Sequence, residues 1–221
     1  MIFFTTFLAL PSGLPALDAW RAEAEQETLR MPEGTDPAVL VGSPTEIDSG
    51  VNTEDDEVAA ASFADVHAVY EVDLGVLRDT IMDFDNHEQF VPHVEASRAQ
   101  RIGDDPPRWL HRVNIVVRLL VFEAGYELDN EYLVVQRDDD RFGMIFRMAE
   151  SHDDMLADTF GSWYLEEVDI DGTRNTYVRY FSHIAFGERV IGLRLALNLF
   201  GLDNVISVMD AYVEEAQRRG G

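Results

Sequence analysis

His87 and His93 stand six residues apart in DFDNHEQFVPH, among Asp83, Asp85 and Glu88. These residue types could hold a divalent metal or relay a proton. The spacing opposes both roles: residues six apart do not share a helix face, and Pro92 bends the chain between them. The segment therefore reads as a solvated elbow that buries Phe84, Phe90 and Val94. ESHDDMLAD (150–158) sets His152 beside two aspartates and reads as a solvated acidic turn. His111 differs, because it lies in register with Val113, Ile115, Val117 and Leu119 on one face of a strand. It is either a satisfied core residue or a hydrogen-bonding or proton-transfer group facing an interior pocket. Asn130 holds the equivalent inward position on the next strand, and Tyr70, Tyr132 and Tyr180 could bring hydroxyls to the same volume. A few polar groups in an apolar cavity are what orients a ligand. Val113, Ile115, Met144, Phe146, Trp163 and Met209 complete the candidate lining. No catalytic residue, metal or cofactor is assigned. With no cysteine in 221 residues, thiol nucleophiles, disulfides and thiolate metal sites are excluded.

The elements that must position these residues follow from periodicity. VHAVYEVDL (66–74) alternates as a strand, and GVLRDTIMDF (75–84) carries a helical stripe of Val76, Leu77, Ile81 and Phe84. Asn86 is a plausible cap for a second short helix ending before Pro92. Strands are predicted over 96–103, 108–125, 126–136 and 141–150, and a hairpin over 158–186 turns on DIDGT. In LDNVISVMDAYVEEAQRR (202–219) Leu202, Val205, Ile206, Met209, Tyr212, Val213 and Ala216 keep the i, i+3, i+4, i+7 rule. An antiparallel sheet with one apolar face needs a cover. The prediction is an α+β helix-grip fold: a curved antiparallel sheet around a long C-terminal helix, with two short helices after the first strand and a cavity wherever the helix cannot fill the curl.

Four features and their order carry a resemblance: a strand, the helix pair it runs into, a late hairpin and a terminal helix. VHAVYEVDL runs into GVLRDTIMDFDNHEQFVPHVEASRAQRI, GSWYLEEVDIDGTRNTYVRY forms a late tryptophan-bearing hairpin, and an amphipathic helix ends the chain. Together they resemble the START / Bet v 1-like (SRPBCC) superfamily, in particular its polyketide-cyclase and coenzyme-Q-binding branch, over residues 60–219. The resemblance implies an internal pocket for a hydrophobic small molecule such as a lipid, quinone or polyketide-like compound. It transfers no catalytic residue. Non-catalytic binding or transport is the expected role, and a polyketide cyclase/dehydratase-type enzyme using His111 in the same pocket is the alternative.

The formal net charge is −25, and all 17 basic residues are arginine. Such a field repels phosphates, so no nucleic-acid partner is expected. Residues 1–17 form an apolar segment, too short to span a bilayer, that reads as a signal or anchor or as a segment packing on the domain; the compartment stays open between cytoplasm and periplasm or secretion. Residues 18–58 read as an acidic linker, because 18–57 hold 12 acidic residues against two arginines, with three prolines; within it DAWRAEAEQETLR (18–30) is rich in helix formers and could form a short helix, and such a tail would also suit a basic protein partner. The ligand-binding domain is placed at 59–221. RVIGLRLALNLFG (189–201) is read as a buried helix or as a lid making transient membrane contact through 190–200. Composition says nothing about oligomeric state.

Overall fold

The computed structural model describes residues 16–53, 60–119, 122–187 and 201–221. The segments expected to act as a signal or anchor (most of 1–17) and as a lid (190–200) lie outside the described residues. Strands β1 (Thr45–Asn52), β2 (Ala60–Tyr70), β3 (Val94–Asp104), β4 (Pro107–Leu119), β5 (Phe122–Arg137), β6 (Arg141–Ser151), β7 (Leu156–Ile170) and β8 (Thr173–Phe186) form one antiparallel sheet in the order β1-β2-β8-β7-β6-β5-β4-β3. Helix α1 (Ala16–Glu27) precedes the sheet, α2 (Leu74–Ile81) and a 3-10 helix (Phe84–Gln89) follow β2, and α3 (Leu202–Gly220) closes the chain. This is the α+β helix-grip arrangement that periodicity predicts.

Local chemistry explains the boundaries. The side chain of Asp73 accepts from the Val76 amide and starts α2, which is why β2 stops at Tyr70 rather than running to 74. The second short helix begins after Asp83, not at Asn86, which instead donates to Asp83 from inside it. The β7–β8 turn places Asp171 and Gly172 at φ 54° and 82°, the left-handed pair that the Asp-Gly signal requires. β5 starts at Phe122, so residues 122–125 belong to it and not to the strand before.

On the concave face, Val66, Ala68, Leu77, Ile81, Phe142, Met144, Leu165 and Val178 pack against Val205, Met209, Val213 and Ala216 of α3. Part of the convex face is apolar as well, and residues 16–40 cover it, which corrects the reading of 18–57 as mostly irregular and bears out its short helix over 18–30. In α1, Leu17, Trp20 and Ala24 recur on one helix face, and with Leu29 and Leu40 they cover Val69, Leu133, Ile145, Phe160, Tyr164, Tyr177 and Phe181. Burial of that stripe offsets the charge of the solvent side. β1 then pairs with β2, and Arg179 ties the layer down: its guanidinium grips the Asp65 carboxylate at 2.9 and 2.5 Å and donates to the carbonyls of Glu27 (2.7 Å) and Arg30 (2.9 Å).

Gly161 sits where the layers approach most closely. Its carbonyl accepts from Trp20 Nε1 at 2.9 Å, and a Cβ on it would run into the ring of Phe146 and the Phe181 carbonyl. Gly161→Ala is expected to cost about 2 kcal/mol or more through overpacking. Urea unfolding checks this; a loss under about 0.5 kcal/mol would mean that Phe146 gives way freely.

Candidate functional site

Between the concave face of β4–β8, the 3-10 helix with the bend after it, and α3 lies a cavity of about 140 Å3. Strand alternation delivers its wall. His111, Val113 and Ile115 come from β4, Leu128, Asn130 and Tyr132 from β5, Phe146 from β6, Thr159 and Trp163 from β7, and Tyr180, Ser182 and Ile184 from β8. The bend contributes Val91, His93 and Val94, and α3 contributes Val205, Val208 and Tyr212. Of the candidate lining residues, His111, Val113, Ile115, Asn130, Tyr132, Phe146, Trp163 and Tyr180 border the cavity. Tyr70, Met144 and Met209 do not. Tyr70 lies at the end of β2 and donates to Asp210 on α3 at 2.7 Å. Met144 and Met209 are sealed in the part of the core where sheet and helix touch directly.

The sequence reading missed His87. It is 3% exposed, not solvated. In a 3-10 helix residues three apart eclipse one another, so Phe84, His87 and then Phe90 stack toward the interior, with His87 centroids 5.4 Å from Phe84 and 5.7 Å from Phe90. That period of three was the available signal. Tyr212 was read only as part of the helix's apolar stripe. Its ring meets Trp163 edge-on at 5.1 Å, while Trp163 stacks on Tyr180 at 4.0 Å.

The hydrogen bonds fix proton positions. The Ile81 carbonyl lies 3.0 Å from His87 Nε2, so that nitrogen carries the hydrogen, and Tyr212 donates to Nδ1 at 3.1 Å. Ser97 Oγ gives its one hydrogen to the Phe84 carbonyl at 2.5 Å and meets His111 Nε2 at 2.7 Å. The serine can only accept there, so His111 donates from Nε2 and its Nδ1 is a bare lone pair. Burial lowers His87 to about 4, against the raising influence of the Ile81 carbonyl and Asp83. Burial, then the proximity of His87, lowers His111 to about 3. Burial likewise raises Tyr132 and Tyr212 above the ordinary phenol range and Tyr180 to about 12. Near neutral pH the cavity wall is therefore polar in places and uncharged at all of these groups.

Outside the cavity, Asp129, Glu150 and His152 bring ligand-type atoms together. Asp129 is already held by Arg112 through two 2.8 Å bonds and by His152 at 3.2 Å. The Arg112 hydrogen bond keeps its carboxyl below the usual range. A cation there would compete with a bidentate guanidinium. Among the described residues, no helix is long and apolar enough to cross a membrane.

Solved structures share this architecture. A STAR-related lipid transfer protein from Xanthomonas axonopodis superposes with a TM-score of 0.57 at 12% identity, covering 76% of this chain and 98% of its own. A Thermus thermophilus protein gives 0.55 at 15%, covering 72% and 99%. The Zhui aromatase/cyclase from Streptomyces sp. R1128 gives 0.51 at 12%, covering 73% and 96%. No protein-family model and no curated protein matches the sequence.

Proposed function

Because this chain has the START-type helix-grip fold of the SRPBCC superfamily, we propose that it binds and carries a small hydrophobic molecule in the cavity without transforming it. The supporting observation is the cavity itself. Its wall is apolar and aromatic, broken by a few uncharged polar groups, which is the make-up of a small-molecule pocket. A cavity of this volume has room for a benzene-sized ring, so the ligand, or the part of it that enters, is compact. A cyclase- or dehydratase-type reaction would need a proton acceptor. Of the histidines that border the cavity, burial makes His87 and His111 weak bases that accept hydrogen bonds rather than protons near neutrality.

Extraction and mass spectrometry of protein purified from its native host is expected to yield a stoichiometric compact apolar compound. Val113→Phe, which fills the cavity at an overpacking cost of about 1–3 kcal/mol, is expected to purify folded and without it. An empty wild-type extract, or a Val113→Phe variant that keeps the compound, would overturn the proposal.

A further inference from the structure

The polar atoms left over in this wall specify the complementary chemistry of the ligand. Two buried side-chain atoms of the lining have no hydrogen-bond partner among the described residues: His111 Nδ1 and Asn130 Oδ1. The first is an acceptor because Ser97, its own hydrogen given to the Phe84 carbonyl, holds the hydrogen of His111 on Nε2. The second is an amide oxygen, which can only accept. Both are acceptors, and they are neighbours: His111 and Asn130 are directly opposed across the β4–β5 ladder, so their Cβ atoms lie about 5 Å apart on one face. Neither residue is exposed, at 2% and 7%, so an unmet acceptor here carries its full desolvation penalty.

We infer that the cavity selects a ligand presenting two hydroxyl donors at meta positions of a flat ring, a dihydroxy-aromatic compound, over ligands that only accept. This deepens the binding proposal and rests on it. The rings of Tyr132, Phe146, Trp163, Tyr180 and Tyr212 favour an aromatic plane by stacked and edge contacts. The meta hydroxyls of a resorcinol ring are set wider than ortho ones, as two acceptors on opposed residues of a ladder call for. A quinone or an aryl ether brings further lone pairs against lone pairs, which is repulsive and leaves both protein atoms unpaired. Burial also keeps His111 neutral across the physiological range, so the acceptor is not lost to protonation.

Resorcinol, its dimethyl ether 1,3-dimethoxybenzene, and its apolar isostere m-xylene separate the contributions. Each is titrated by two-dimensional NMR into the full chain and into the His111→Leu and Asn130→Leu variants. Resorcinol is expected to shift resonances of cavity residues saturably and to bind more tightly than the dimethyl ether. Its preference over m-xylene is expected to fall about tenfold in each variant, as loss of a met acceptor requires. Undiminished m-xylene binding by the variants shows that their cavities remain intact. An unchanged preference, or dimethyl ether binding as tightly as resorcinol, overturns the donor inference and leaves the binding proposal standing. Failure of all three to bind the unaltered chain removes the binding proposal and this inference with it.

Discussion

Acidification from pH 7 to pH 4 is expected to remove on the order of 5 kcal/mol of folding stability through His87 and His111 alone. In the folded chain burial holds them at about 4 and about 3. In the unfolded chain both return to about 6.5. Between those values the unfolded state binds more protons than the folded one, so stability rises with pH there. The contribution is complete above pH 6.5 and is lost as the pH falls toward the folded values. His183, stacked on Phe160 at 4.4 Å and lowered by burial to about 4, acts in the same direction. Protonation of carboxylates relieves the repulsion of a −25 chain and works the other way, mostly below pH 5. Urea unfolding at half-unit steps from pH 7 to 4.5 should therefore show a steady fall. A His87→Gln/His111→Gln double variant should show a flatter profile. Equal wild-type stability at pH 7 and pH 4.5 would refute the assignment.

Arg179→Leu is expected to cost about 3–5 kcal/mol, the usual result of removing one partner of a buried ion pair. Arg179 is 6% exposed and its guanidinium makes four bonds at once. Its loss leaves the Asp65 carboxylate and the carbonyls of Glu27 and Arg30 buried and unmet. Because two of those partners follow or end α1, the damage should reach the outer layer, with faster amide exchange in 16–40 than in α3. The double replacement Asp65→Leu/Arg179→Leu removes the stranded charge and is expected to recover part of the loss, but not all, since the two carbonyls stay orphaned. A single-variant loss below about 1 kcal/mol would show the pair to be no better than a surface bridge.

The sheet and the last helix were legible because half-buried strands and an amphipathic helix impose periods of 2 and 3.6 that composition does not mask. His111 and Asn130 could be assigned to the interior on alternation alone. The helix formers of 18–30 pointed to the short helix of the outer layer, but averaging hid the face on which it packs. Over 18–57 the acidic excess dominates any mean, while Leu17, Trp20 and Ala24 make a three-residue stripe that a mean cannot register. A second clue stood in the strands: Val69, Ile145, Tyr164, Tyr177 and Phe181 alternate on the face assumed to be wet, and so many large apolar residues imply a second cover. His87 was misplaced for a related reason. Its acidic neighbours describe the outside of a 3-10 turn and say nothing of the side chain directed inward.

The three tryptophans fall in three different surroundings. Trp20 lies in the outer layer on the Gly161 carbonyl, Trp163 is stacked in the cavity wall, and Trp109 sits on β4 with the Arg101 guanidinium 5.6 Å from its ring centroid. Gly161, two residues before Trp163, separates the first two by the thickness of a single strand. The chain thus contains its own optical labels for its inside and its outside. Emission from Trp163 would respond to a molecule entering the cavity, and emission from Trp20 to whether the N-terminal helix stays seated. Single Trp→Phe variants can read the two independently in one sample series.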